Sequence, residues 1–433
     1  MLEVCQSYNR VFFDHIAVFQ RAVKGDALAP GDELKVRHVL RNSAGTFLAL
    51  HELALFLPRE SVRREMISYC ECLFRKEFDL SRISILLTSV FNAFEYSLDD
   101  VMKTLSIDVF RMKVPNPDDL PFGHVMELAV IDRDNPLSWG ILAHEFGHYI
   151  DQTAHISENA ARGFVAKTFK SAATEEVNRA FERLCGEIVA DLTAYYLLGP
   201  CSIAPVLTMS LLAGLPLERP ILFDGSHPVP TTRFKLLEQL STDKMSMKPL
   251  QPLISALATE EALKEVNLTP QEQKYLKDVD AYVKIFFDEV QDPILAELRN
   301  RGLRQFTEKD FVEACTLEER LGKGLPIGAA RVATDAELRA DLAHLDRGQK
   351  EADLRAKYMR LREMPVNPGE VLTAGWLYKI NQTPTIVRST FSSNSEEDLF
   401  TAMKSFVDKT DDRLLRSIEV ISILENIHGS AGR

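Results

Sequence analysis

The chain has 433 residues, of which 45% are hydrophobic and 26% charged, and its formal net charge is -12. This composition is typical of a folded globular protein, and it excludes collagen-like, mucin-like and wholly disordered chains. The length suits about two to three domains, or one large enzyme with accessory lobes. The acidic balance disfavours a nucleic acid or an anionic lipid as the main partner.

The cysteines and the first residues indicate the compartment. Six cysteines without a repeated spacing do not describe a disulfide framework. The opening sequence, Met-Leu-Glu-Val-Cys, lacks the basic and apolar regions of a secretory signal. We therefore predict a cytoplasmic protein with reduced thiols.

One uncharged stretch, Leu192 to Leu217, has the length of a membrane span. Several residues would interrupt a single spanning helix there, because proline removes a backbone donor and glycine favours a break. These residues are Gly199, Pro200, Pro205, Gly214 and Pro216. We predict buried helices joined at Gly199-Pro200, and no transmembrane span.

The chain is predicted to comprise three segments. Residues 1–114 show apolar positions at spacings of three and four, which is typical of successive amphipathic helices. Residues 115–247 form the central segment and carry the chemistry described below. Residues 248–433 return to helices and form the C-terminal helical region.

Within the central segment, the β-branched and apolar residues from His124 to Ile131 predict a strand. Asn135-Pro136 predicts the start of a helix that runs to Ile150, because proline is favoured in a first helical turn. A second helix is predicted from Thr174 to Leu198. Later helices are predicted over 270–301, 307–321, 334–364 and 395–429, with loops over 322–333 and 380–395.

The sharpest signal is His144-Glu145-Phe146-Gly147-His148, an H-E-x-x-H motif inside the first of these helices. Positions four apart share a helix face, so both imidazoles can reach one metal ion while Glu145 lies beside its open coordination position. This arrangement is typical of catalytic zinc. The alternative is a pair of unrelated core or surface histidines.

A catalytic zinc needs a third protein ligand. The metzincin extension of the motif would place glycine and histidine where this chain has Asp151 and Ala154, and His155 is out of register. A glutamate from a later helix is the other common solution, and Glu187 offers it. The other candidates on that helix are Glu182, Glu176 and Glu175.

Asp191 lies four residues after Glu187 and therefore on the same helix face. We predict that Asp191 accepts the outer N–H of a ligand histidine and so orients its ring. Carboxylates four apart are common on exposed helices. The apolar run that follows predicts that this helix is buried, where carboxylates need partners.

A third polar element is Ser226-His227-Pro228, followed by Arg233. Near a metal-polarised carbonyl, His227 could donate to the developing oxyanion and Arg233 could fix a carboxylate. Taken alone, a loop that leads into a helix is the simpler interpretation.

Together these motifs resemble those of the gluzincin peptidases, which include the CAAX prenyl proteases and the bacterial heat-shock membrane protease. The motifs are H-E-x-x-H, E-x-x-A-D and S-H-P with a following arginine. The resemblance covers about residues 124 to 235. It implies that His144, His148 and Glu187 bind Zn2+, that Glu145 is the general base, and that His227 and Arg233 contact the transition state. Those relatives commonly span membranes and this chain has no predicted span, so their substrates are not carried over.

The predicted fold class is α+β and predominantly α-helical, with a zincin-like core of a small sheet and an active-site helix between helical lobes. The predicted function is a zinc metalloendopeptidase that acts on a protein or peptide substrate. An extended substrate is expected to pair with an exposed edge of the strand His124 to Ile131. The alternative is a non-catalytic scaffold or regulatory protein with a structural zinc, although such a protein has no use for Glu145.

Overall fold

The structure is a computed structural model of the chain. The residues that it describes are 62–78, 83–88, 94–97, 124–129, 132–169, 175–213, 228–265, 269–325, 327–329, 365–391 and 396–430. The helices predicted before residue 62 and the charged helix predicted over 334–364 lie outside these ranges.

Helices dominate the described residues. In chain order they are α1 (Arg64–Phe74), α2 (Gly140–Ala154), α3 (Ile156–Phe169), α4 (Glu175–Leu198), α5 (Ala204–Ala213), α6 (Pro230–Glu238), α7 (Gln251–Glu265), α8 (Pro270–Asn300), α9 (Glu308–Gly322), α10 (Pro368–Phe391) and α11 (Glu396–Ser430). Short 3-10 helices cover Arg75–Glu77, Gly199–Ile203 and Lys248–Leu250.

Three short strands, β1 (Ile83–Thr88), β2 (Phe94–Ser97) and β3 (His124–Ala129), pair with one another. The central strand is β3, which pairs with β1 in parallel and with β2 antiparallel. The predicted strand is therefore present over its described part. The predicted exposed edge is wrong, because the backbone groups of β3 are used by neighbouring strands on both sides.

The predicted α+β class is also wrong. Helix accounts for about four-fifths of the described residues and strand for only a few per cent, so the described part of the chain belongs to the all-helical class despite its three short strands. The strands belong to one compact unit (Met1–Arg63 and Phe78–Arg133) and the helices named above to a second (Arg64–Glu77 and Asp134–Arg433). No small sheet accompanies the H-E-x-x-H helix among the described residues of the second unit.

The predicted boundaries near 115 and 248 stay predictions. Helices from the predicted central segment and from the predicted C-terminal region nevertheless lie in the same compact unit. In that unit α4 packs against α2, α3 and α8, which places it in the middle of the helical core.

The predicted helices that fall within the described residues are confirmed, with shifted ends. The motif helix α2 begins at Gly140 rather than at Asn135, because Asn135 and Pro136 first form tight turns that accept the amides of Ser138 and Trp139 at 3.1 Å each. The loop predicted over 380–395 is wrong in its first part, where α10 continues through Pro384 to Phe391.

The uncharged stretch forms buried helices with a break, as predicted for its described part. Helix α4 ends at Leu198, a 3-10 turn follows at Gly199, and α5 begins at Ala204. Gly199 has a φ of 73°, a backbone conformation that glycine adopts at little cost. Among the described residues, none of the helices combines the length and the apolar character that crossing a bilayer requires.

Candidate metal centre

The site is built on the crossing of α2 and α4, and Gly147 permits that crossing. A Cβ atom placed on Gly147 would lie 2.5 Å from Cα of Ala190 and 3.0 Å from its carbonyl oxygen. The glycine of the H-E-x-x-H motif therefore lets the two backbones approach closely. On an adjacent face of α2, the ring of Phe146 stacks on Phe74 with centroids 4.1 Å apart. Both contacts fix the rotation of α2 about its axis.

This packing brings His144, His148 and Glu187 together, as the sequence predicted. Nε2 of His144 lies 3.4 Å from Oε2 of Glu187. Nε2 of His148 lies 3.5 Å from Oε1 of the same carboxylate. One potential ligand atom from each residue lies within 4.8 Å of the others. The four-residue spacing on α2 and the position of Glu187 on α4 thus produce a single three-donor cluster.

The spacing of the three donors is compatible with a bound metal ion such as zinc. Tetrahedral zinc with bonds of about 2.0–2.1 Å holds neighbouring ligand atoms about 3.3–3.4 Å apart. The two nitrogen–oxygen distances, 3.4 and 3.5 Å, are close to that value, each measured to a different oxygen of Glu187, and all three donors lie within 4.8 Å of one another. Two imidazoles and one carboxylate are also a donor set that suits a zinc ion with an open fourth position.

The three donors differ in exposure. The side chains of His144 and Glu187 are 5% and 8% exposed, whereas that of His148 is 22% exposed. Solvent therefore reaches the cluster from the side of His148. Glu145, the predicted general base, is also buried on α2.

A second layer of contacts orients His144. Nδ1 of His144 lies 3.0 Å from Oδ1 of Asp191, on the opposite edge of the ring from the Nε2 atom that faces Glu187. Asp191 in turn accepts two hydrogen bonds from Arg233, Nε to Oδ2 at 2.7 Å and Nη2 to Oδ1 at 2.6 Å. The predicted partnership of Asp191 with a motif histidine is thus present in the structure.

The charges in this layer shift several pKa values. Burial by itself lowers the pKa of His144, but hydrogen bonds with Asp191 and Glu187 outweigh burial and raise it to about 9. Burial favours neutral Asp191, yet the charge and hydrogen bonds of Arg233 lower the pKa of that carboxyl. Burial disfavours the charged form of Arg233, and Asp191, Glu187 and Glu145 together raise its pKa. The site is therefore a compact network of mutually stabilised charges.

His155 lies away from the cluster, as its register predicted. It is the left-handed residue between α2 and α3, with a φ of 53°, and its exposed Nδ1 pairs with Glu158 at 3.0 Å.

Asp151 has a structural role instead. Its carboxylate accepts the amide of Ser157 at 2.7 Å and also the Ser157 hydroxyl, so it caps the start of α3.

The third predicted element is only partly described. His227 lies outside the described residues, so its predicted contact with substrate stays a prediction. Arg233 lies on α6 and is 4% exposed, with its guanidinium directed at Asp191. Sequence reasoning missed this contact, and it also missed the role of Gly147, although a glycine within a helix signals close packing.

Comparisons of the chain with protein families, with curated proteins and with solved structures found no match.

Proposed function

We propose that this protein is a zinc-dependent peptidase of the gluzincin type. The observation that carries the proposal is the position of two histidine nitrogens. Nε2 of His144 lies 3.4 Å from Oε2 of Glu187, and Nε2 of His148 lies 3.5 Å from Oε1, which is close to the separation of neighbouring ligand atoms around zinc. The buried Glu145 between the two histidines adds a base that a purely structural zinc site would not need.

In this proposal a few residues have separate roles in metal binding, proton transfer and orientation of a ligand. His144, His148 and Glu187 would hold zinc, which when bound supplies the Lewis acidity that polarises a scissile carbonyl. Glu145 takes a proton from the attacking water and later delivers it to the leaving amine. Asp191 keeps His144 oriented through Nδ1.

The proposed substrate is a protein or peptide chain, because a metal-polarised carbonyl with a carboxylate base beside it is suited to hydrolysis of a peptide bond. Docking of that substrate by strand addition to β3 is not part of the proposal, because β3 is paired on both sides. We also propose a cytoplasmic location, which is supported by the free thiols of the described cysteines. These are Cys70, Cys72, Cys185, Cys201 and Cys315.

The test combines metal content with hydrolysis of internally quenched peptides of mixed sequence. Wild type should bind about one zinc per chain, and His148→Ala should lose most of it because one of three ligands is gone. Glu145→Gln should keep zinc and lose turnover by at least about 100-fold, because the proton acceptor is removed while the ligands remain. Glu158→Gln, at a partly exposed carboxylate that pairs with Arg162 on α3, is the matched control and should behave as wild type in both assays.

The outcomes separate catalysis from scaffolding. Equal zinc content in wild type and His148→Ala would refute the ligand assignment. Zinc-loaded wild type without any hydrolysis would favour the alternative, a scaffold or regulatory protein with a structural zinc. Turnover that survives Glu145→Gln would refute the proposed base.

A further inference from the structure

We infer that Arg233 is a positioning residue of the metal centre, which holds Asp191 in the orientation that fixes His144. The inference rests on the proposed function of this site, and it replaces the substrate contact that the family resemblance implies for Arg233. Its effect would appear first in metal affinity, and in hydrolysis only as a consequence.

The first argument is the geometry of the contact. Nε and Nη2 of Arg233 bind the two different oxygens of Asp191, at 2.7 and 2.6 Å, so the carboxylate plane is fixed by two nearly parallel bonds. The oxygen that accepts Nη2 of Arg233 is Oδ1, which also faces Nδ1 of His144 at 3.0 Å. One carboxylate oxygen therefore links the guanidinium to the imidazole.

The second argument is burial. Arg233 and Asp191 are 4% and 5% exposed, so neither charge is compensated by bulk water. Without Arg233, Asp191 would be a buried carboxylate close to a second one, Glu187, whose Oε2 lies 3.7 Å from Nη2 of Arg233. Loss of the guanidinium would leave the charge of Asp191 without its main partner, and no other described residue with two donors would hold that carboxylate against His144.

The third argument is that the backbone of Arg233 is anchored independently of the ligands. Pro230 opens α6, and the side chain of Phe234 is buried in the core. Thr232 donates from Oγ1 to Oδ1 of Asp280 on α8 at 2.9 Å. Because α6 is held by these contacts, Arg233 can act as a fixed support for Asp191.

The test measures zinc affinity of the full chain by competition with a chromophoric chelator. Arg233→Met should weaken zinc binding by about 10–100-fold, the range found when outer partners of metal ligands are removed. Asp191→Asn should weaken it in the same range. In the Asp191→Asn background, Arg233→Met should add less than about 2-fold, because the residue through which Arg233 acts is already altered.

Two further variants separate loss of the Arg233 contact from a general loss of stability. Arg233→Lys keeps the charge but not the two-pronged contact, so it should lose several-fold in zinc affinity even if Arg233→Met fails to fold. Lys379→Met is the matched control, since it removes a partly buried cation that pairs with Asp411 at 2.9 Å between α10 and α11, away from the metal centre. The control should lower stability and leave zinc affinity unchanged.

The possible results are distinct. Wild-type zinc affinity in Arg233→Lys would overturn the inference, as would equal losses from Arg233→Met in the wild-type and Asp191→Asn backgrounds. Unchanged zinc affinity with reduced kcat/KM in an Arg233 variant would restore the substrate contact and refute the positioning role. Wild type that binds no zinc would refute the proposed function itself. An altered cobalt absorption spectrum in Arg233→Lys would support the inference, because it reports the geometry of the ligands.

Discussion

Replacing Gly147 by alanine tests whether the close crossing of α2 and α4 assembles the site. The added Cβ would lie 2.5 Å from Cα of Ala190, whereas carbon atoms in good contact are about 3.5–4.0 Å apart. The helices would have to separate by about 1 Å, because the atom in the way belongs to the backbone of α4 and cannot rotate aside as a side chain could. Overpacking of this kind costs about 3 kcal/mol at the upper end of its range.

Part of that cost is offset, because alanine is a better helix former than glycine by about 1 kcal/mol. The expected net loss in the free energy of unfolding is therefore about 2 kcal/mol for the metal-free protein. Zinc affinity should fall as well, because separation of the helices carries both histidines away from Glu187. Urea unfolding in the presence of a chelator measures the first effect, and chelator competition measures the second.

Gly163→Ala is the matched control for this experiment. Gly163 lies within α3, and a Cβ placed there meets nothing within 4 Å. The same substitution should therefore raise the free energy of unfolding by about 0.5–1 kcal/mol and leave zinc affinity unchanged. If Gly147→Ala proved as stable as Gly163→Ala and bound zinc like wild type, the argument from the helix crossing would be refuted.

Two other predictions concern residues outside the metal centre. Burial and the neighbouring Asp310 raise the pKa of Glu370 from 4.5 to about 8, so the folded state holds a proton that the unfolded chain releases. The unfolding free energy of wild type should therefore fall relative to that of Glu370→Gln as the pH rises, by up to about 1.4 kcal/mol per pH unit between pH 4.5 and about 8. Urea titrations in which the two proteins differ by the same unfolding free energy at every pH in this window would contradict the prediction. His155 has a φ of 53°, a left-handed conformation that costs a residue with a side chain roughly 1–2 kcal/mol and that glycine adopts freely. His155→Gly should therefore raise the unfolding free energy by about 0.5–1 kcal/mol, once the greater flexibility of glycine in the unfolded chain is subtracted. Zinc affinity should stay unchanged, and a loss of zinc would show that His155 serves the site after all.

The sequence alone determined the local chemistry of this protein. Residues four apart on a helix share a face whatever the helix packs against, so the partnership of His144 with His148 and of Glu187 with Asp191 could be predicted. Helix ends with strong local signals were also predictable, such as the capping box in which Thr307 and Asp310 bond each other's backbone amides. The uncharged stretch after Asp191 correctly predicted a buried helix.

Some local signals were misleading because tertiary contacts outweighed them. Polar residues and Pro384 favoured a loop after Ile380, yet α10 continues there. Asn381 on that part of α10 donates to Glu318 of α9 at 2.8 Å, and the hydroxyl of Thr383 bonds back to the carbonyl of Lys379. One contact with α9 and one hydrogen bond within α10 thus support the helix beside the position where a proline removes a backbone hydrogen bond.

Only the tertiary structure decided which distant residues meet. Three contacts join positions far apart in the chain. These are the pairing of β3 on both sides, the approach of Gly147 to Ala190 and the hydrogen bonds from Arg233 to Asp191. Hydrophobic periodicity reports which face of an element is buried but carries no information about the element that buries it. The candidate ligands could be predicted because their spacing is local to two helices, whereas the class of the fold and the supports of the site depend on how those helices pack.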